Sequence, residues 1–431
     1  MMQPVNGQLV GSSSFRHPSR STGEYLLKSL VGAVLLAGCA HAAASNEGPL
    51  RSPAFMNAAS VGVAEIFNLD FDDASETFAT LAIKYPQHPG PPLYQAATIL
   101  IRYLEDTKQL DLDFFLNPGS SKRSPTARME PRIRKQFASL LNSSRTLATQ
   151  RLASDPADED ARFYLGLVEG LDASFEFTVN QSYFDGWRHG QQAYLIETQI
   201  VQRDRAFKDA NLLPGLYGYI SASLPWYLRW MTGADPKSAP ALLNLCVNET
   251  KYNSDEARLA RMIVEAREGR LSESLADLAV LADKYPRNYA FRLAKAHLLE
   301  QEGNVDDAAK EYEYILALTE QRRPNYQRID VVAFRWSVSN HLLARHPDAA
   351  LDQYQKILSD PSASERWRVL AQMQAGCALD LLGRRDEAID RYRTVLQLKE
   401  YDNSHAHASQ YLQRPFAMNR NSISIPRLSP Q

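Results

Sequence analysis

Within this chain, the feature that most restricts the fold is a recurring unit of about 34 residues, a period typical of stacked helical hairpins. Asp72-Asp73-Ala74-Ser75-Glu76-Thr77-Phe78 leads to Leu81 and Tyr85-Pro86, and Ser272-Glu273-Ser274-Leu275-Ala276-Asp277-Leu278 leads to Leu281 and Tyr285-Pro286. Asp306-Asp307-Ala308 leads to Tyr312 and Ile315, and Asp386-Glu387-Ala388 leads to Tyr392 and Val395. In each, a small residue is followed four positions later by a large one and three further on by an apolar one, so all three share one helical face. Ser274 and Ala308 stand one such unit apart, and Gly269, Gly303 and Gly383 each stand five positions before the small residue. Ala74, Ala308, Ala350 and Ala388 let two helices approach closely, while Phe78, Leu278, Tyr312, Tyr354 and Tyr392 fill the gap to the next pair. Asp72, Ser272, Asp306, Asp348 and Asp386 are expected to cap the second helix of each pair, worth about 1 kcal/mol apiece. One pair cannot cover its own apolar face, so the pairs must stack.

The unit resembles the tetratricopeptide repeat (TPR): two antiparallel helices in roughly 34 residues, small residues at their crossing, and a proline at the end. The match covers 55–88, 255–288, 289–322 and 366–400. It is looser over 330–364, where Ala350, Tyr354 and Ile357 keep the pattern. The resemblance implies an all-α, right-handed superhelical α-solenoid of TPR-like hairpins with a divergent N-terminal half. The expected organisation is a signal peptide at 1–38, a linker at 39–54, a divergent helical region at 55–235, a TPR solenoid at 236–415 and a disordered tail at 416–431. In the divergent half, helices are expected near 93–106, 128–153, 158–178, 186–204, 207–222 and 225–231, with an insertion at 107–127. A closing helix is expected at 403–413, and no strands.

The first part of the chain reads as an address. Arg16, Arg20 and Lys28 precede Ser29-Leu30-Val31-Gly32-Ala33-Val34-Leu35-Leu36-Ala37-Gly38-Cys39, an apolar run that ends in small residues, in the order of an export signal. The run is too short to span a bilayer, which takes about 20 residues. Leu36-Ala37-Gly38-Cys39 resembles the lipobox of bacterial lipoproteins. That resemblance implies lipidation of Cys39, cleavage before it, and membrane attachment through the lipid. Ala40 after Cys39 implies an outer-membrane lipoprotein facing the periplasm under the enteric sorting rule. Ala42-Ala43-Ala44 offers a second cut that would release a soluble periplasmic protein.

The net charge of -2 and pI of about 6.5 argue against broad nucleic-acid binding, which needs a positive stripe to displace counterions. Three cysteines make neither a disulfide scaffold nor a zinc array, and Cys246 and Cys377 read as separately buried thiols. The chain has no G-x-S-x-G, HExxH, G-x-x-x-x-G-K, G-x-G-x-x-G or C-x-x-C, so no enzyme, cofactor or metal is expected. The acidic run Asp70–Glu76 lacks the glycine and length of a calcium loop and fits a helix start instead.

These features suggest a non-enzymatic scaffold that binds a protein partner. The repeat groove is its expected contact surface, with Arg335, Trp336, Ser339, His297, Met373 and Gln374 as candidates. The alternative is a glycan- or substrate-binding component of an outer-membrane uptake system, using the aromatic segment 217–230 with Trp226, Tyr227 and Trp230. Those rings, with Phe175, Phe177, Tyr183, Phe184, Trp187, Tyr194, Tyr217 and Tyr219, read first as core between divergent helices, then as a partner surface.

Overall fold

The computed structural model describes residues 49–107, 128–222, 232–235, 237–250 and 254–418. These residues form an α-solenoid, with seventeen α-helices and no strand among them. The divergent half contains α1 (Pro53–Phe67), α2 (Phe71–Lys84), α3 (Gly90–Asp106), α4 (Pro131–Ser154), α5 (Glu159–Phe175), α6 (Tyr183–Arg203) and α7 (Leu212–Ala222). It is followed by α8 (Ala239–Glu249), α9 (Ser254–Arg267), α10 (Leu271–Lys284), α11 (Tyr289–Glu302) and α12 (Val305–Glu320). The last part contains α13 (Val331–Leu342), α14 (Pro347–Ser359), α15 (Glu365–Leu381), α16 (Arg385–Gln397) and α17 (Ser404–Gln413). Each helix packs mainly on its neighbours in sequence, and α8 touches both α7 and α9, so one continuous core joins the divergent half to the repeats.

The repeat pattern is explained by burial. Ala74, Ser274, Ala308, Ala350 and Ala388 are fully buried at the helix crossings, as are Phe78, Leu278, Tyr312, Tyr354 and Tyr392. The fit is tight enough that a Cβ at Gly62 would lie 2.5 Å from Phe78 Cζ, and one at Gly376 would lie 2.5 Å from Tyr392 Cε1. The first helix has given up a side chain to seat the ring of the second.

The turns within the pairs correct the expected caps. Gly269, Gly303 and Gly383 have φ of +78°, +90° and +74°, and Leu69 takes the same place in the first repeat at φ 66°. The next residue's N–H then reaches back to close the preceding helix: Asp70 to Glu65, Arg270 to Glu265, Asn304 to Leu299 and Arg384 to Leu379. This closure starts the second helix one or more residues earlier than the caps require. Asp72, Ser272, Asp306 and Asp386 therefore lie inside the first turn, as does Asp348 one position after the helix-starting Pro347, and the four acids favour the positive helix end. Asp72 instead accepts from Arg102 Nη1 at 2.5 Å, and Ser272 donates to Glu302 at 2.6 Å. Side-chain caps occur on first helices, at Ser52, Asp158, Asn288, Asp330 and Ser364.

The stack also closes on itself. The first three helices meet the loops that flank α11 and α12, far downstream in the chain. Phe67 stacks on Tyr285 with centroids 4.6 Å apart, and Asn288 Nδ2 donates to the Phe67 carbonyl at 2.7 Å. Arg287 Nε donates to Asp70 at 2.7 Å, Tyr289 donates to the buried Glu105, and Arg328 reaches Asp106 at 3.3 Å. Asn325 Nδ2 donates both to the Asn68 carbonyl at 2.6 Å and to Asp70 Oδ1 at 2.8 Å. At the other end α17 covers the last repeat. Arg385 Nη2 donates to the carbonyls of Tyr411 and Leu412, and the Phe416 N–H donates to Asp380.

Candidate functional site

The groove residues expected from the sequence have separate fates. Arg335 is buried on α13, donating to Glu320 at 2.5 Å and facing Asp360 at 3.5 Å, so its charge ties the α12–α13 and α14–α15 connections together. Ser339 is fully buried and donates to the Arg335 carbonyl at 2.6 Å. His297 lies in the core with its ring 5.9 Å from Tyr312, and Met373 is buried on α15. Trp336 and Gln374 are half-buried, and Trp336 packs 5.8 Å from both Tyr354 and Trp367. The structure thus leaves Trp336 and Gln374 as the members of this set with surface to offer.

Cys39, Trp226, Tyr227 and Trp230 lie outside the described residues, as does the expected insertion beyond residue 107. Among the other aromatics, Phe175, Phe177 and Tyr217 are core, whereas Phe184 is 79% exposed at the start of α6. The expected helix 158–178 ends at Phe175 and continues as a π-turn, Glu176–Asn180, that closes on Gln181 at φ 55°. The expected helix 207–222 splits into a 3-10 turn, Lys208–Asn211, and α7. Pro214 lacks an N–H, so it is tolerated in the first turn of a new helix but not within a continuous one.

Where α5, the π-turn, α6 and α7 meet, they enclose an apolar pocket of about 40 Å³ that is open on one side. Gly170, Ala173 and Gly190 leave the space between α5 and α6, the Phe177 ring packs on Gly186, and Leu216 and Tyr217 of α7 form the far wall. The Tyr217 ring lies 5.1 Å from Trp187 and stacks on Tyr194 at 4.8 Å. Burial raises its phenol well above the usual range. Beside the pocket, His189 Nδ1 lies 2.6 Å from Glu169, which also accepts from Arg145. The Glu169 hydrogen bond raises the His189 pKa against the opposing effect of burial.

A second polar centre, not anticipated from the sequence, lies in the core of the divergent half. The stretch Pro49–Arg51 enters the fold and is pinned by two groups. His88 Nδ1 accepts from the Gly90 N–H at 2.9 Å, so its Nε2 carries the proton and donates to the Leu50 carbonyl at 2.8 Å. Arg51 forms an ion pair with buried Asp160 and lies 4.3 Å above the Phe207 ring. Asp209, Glu197 and Glu256 are also buried around this centre. Burial raises Asp209 to about 7 against the pull of Arg51, and raises Asp160 to about 6. Glu197 and Glu256 rise far above the carboxylate range, through burial and then through Asp209 and Asp255 respectively. A Cβ at Gly166 would lie 2.2 Å from Glu197 Oε1, so Gly166 makes room for that carboxyl. Glu197 and Glu256 thus hold their protons in a closed interior, and no cluster among the described residues has the geometry to hold a metal. Burial also drives His88 down to about 4.

The sequence does carry a signal for this centre. Ala193, Glu197 and Ile200, and likewise Glu256, Ala260 and Ile263, share a helical face, which puts a carboxylate in an apolar stripe.

No protein-family model and no curated protein matches the chain. Solved structures that align with the chain include yeast Tom70, at 12% identity and TM-score 0.28, covering 82% of this chain and 88% of that one. Human IFIT1, solved as a dimer with m7Gppp-AAAA, aligns at 11% identity and TM-score 0.32, covering 92% of this chain and 85% of its own. The P58(IPK) TPR domain aligns at 16% identity and TM-score 0.22, covering 84% and 98%. The TPR-like solenoid assignment rests on this chain's own hairpins, glycine turns and small–large crossings.

Proposed function

We propose that this chain is a non-catalytic scaffold of the bacterial cell envelope, held at the outer membrane by a lipid on Cys39, that binds a protein partner. The observation that carries this reading is the architecture. A continuous stack of hairpins presents a long surface, and Trp336 stands half-buried on it, packed against Tyr354 and Trp367. Partly exposed tryptophans backed by other rings are frequent binding hot spots. The lipobox-like sequence supports the anchor. The shifted acids Asp160, Glu197, Asp209 and Glu256 are buried away from solvent, which favours a structural role over a catalytic one.

The test is affinity capture from envelope extract, comparing the mature wild-type protein with Trp336→Ala/Gln374→Ala. A partner recovered by the wild type and lost by the double variant supports the reading, and equal recovery rejects this surface. Metabolic palmitate labelling tests the anchor separately, since Cys39→Ser must abolish the label.

A further inference from the structure

The pocket at the α5–α6–α7 junction contains an unsatisfied polar group. Tyr217 is 6% exposed and forms part of the wall, yet its hydroxyl has no hydrogen-bond partner among the described residues. An unmet buried hydroxyl costs about 1–3 kcal/mol, so its retention calls for an explanation. Ordered water is a weak one, because water in such a site needs two to four polar partners. The other hydroxyl in the wall, Ser174, already donates to the Gly170 carbonyl at 2.9 Å.

The volume narrows the choice of occupant. About 40 Å³ exceeds the ~10–15 Å³ that a single water needs, and falls well short of the ~150 Å³ cavity known to take a benzene ring. The remaining wall is apolar: Leu213, Leu216, Ile220 and the α5–α6 glycines and alanines, with the rings of Phe177 and Trp187. An added Cβ at Gly190 would find nothing closer than 3.9 Å, whereas one at Gly186 would lie 2.5 Å from Phe177 Cε1.

We propose that this pocket binds a small neutral molecule with a short linear alkyl body and one oxygen, of the aliphatic alcohol class, whose oxygen accepts a hydrogen bond from Tyr217. The alkyl body occupies the space beside Gly190, and any longer chain extends through the open side.

The test is calorimetric or saturation-transfer titration of the full chain with 1-propanol, 1-butanol and 1-hexanol, with cyclohexanol as the bulky comparison. Saturable binding of the linear alcohols is expected, strengthening with chain length and exceeding that of cyclohexanol. Tyr217→Phe removes the only donor proposed and must weaken 1-butanol by roughly 2- to 10-fold. Gly190→Leu fills the space and must abolish binding. Absence of saturable binding to the wild type, or equal affinity in Tyr217→Phe, overturns the proposal. If Gly190→Leu fails to fold, Tyr217→Phe still decides it.

Discussion

The Asn325 side-chain amide donates to the backbone carbonyl of Asn68, 257 positions earlier, at 2.6 Å. The same amide reaches Asp70, which also holds Arg287. One asparagine thus fastens the turn of the first hairpin to the loop after α12. The acidic stretch at 70–76, which the sequence marks as a helix start, supplies the acceptor of this clasp through Asp70 and an interhelix tie through Asp72.

Removing the clasp side chain without disturbing its backbone isolates its effect. Asn325 has φ 68°, so glycine is the conservative choice. Asn325→Gly should lower stability by about 1–3 kcal/mol in chemical denaturation, because two acceptors lose their donor. Hydrogen exchange in α1 and α2 should accelerate more than in α16. Uniform exchange across both ends would argue against a clasp.

The buried acids set a pH slope whose sign follows from their direction of shift. Asp209 and Asp160 titrate higher in the fold, at about 7 and about 6, than their ordinary 3.8. The folded state holds extra protons between those values, so this stabilisation is full below pH 4 and is lost as pH rises to about 7. For Asp209 the whole change is on the order of 4 kcal/mol. His88 opposes it. Its pKa falls from 6.5 to about 4, so its contribution is lost as pH drops through that window. Asp209→Asn should flatten the decline between about pH 4 and 7 while leaving the opposing His88 loss intact, as followed by urea unfolding at each pH.

Close packing at the crossings gives a third test. Gly376→Ala places a methyl 2.5 Å from Tyr392 Cε1, and the crossing must open by a cost of about 1–3 kcal/mol. Tyr392→Leu in the same chain should recover part of that loss, since the smaller side chain yields the space. A neutral Gly376→Ala in thermal denaturation would contradict the packing described.

The thiols provide a fourth. Cys246 and Cys377 are both buried and free, and burial pushes the Cys377 thiol up to about 12. In a Cys39→Ser protein both should resist thiol-reactive dye at pH 8 and react stoichiometrically in denaturant. Rapid labelling of the native protein would show that the core around α8 or α15 opens readily.

Much of the repeat region was readable because its constraint is local. Helices that cross this closely need a small residue facing a ring, and Ala74–Phe78 or Ala388–Tyr392 states that within a few positions. The caps were misplaced because the left-handed turns at Leu69 and Gly269 set the helix start, not the nearest oxygen-bearing side chain. The groove candidates were misread in part. Helical spacing puts Ser339 on a first helix but cannot say that its hydroxyl bonds the Arg335 carbonyl instead of facing solvent. Closure of the stack was not legible at all, because it depends on small rotations accumulated over the hairpins between Asn68 and Asn325. The Arg51 centre was only partly legible. Glu197 and Glu256 stand out in apolar stripes, but the arginine that meets Asp160 comes from a stretch read as linker.

The central claim is that the stack closes, and one distance tests it. Asp73 and Arg323 are exposed residues close in sequence to Asp70 and Asn325, which bond each other at 2.8 Å. Spin labels at Asp73→Cys and Arg323→Cys, in a Cys39→Ser background, should lie within about 25 Å by dipolar spectroscopy. Helices in contact are spaced about 8–10 Å apart, so an open stack would separate the labels by well over about 50 Å. A narrow short-distance peak is the result this account predicts, and a long or broad distribution would contradict it.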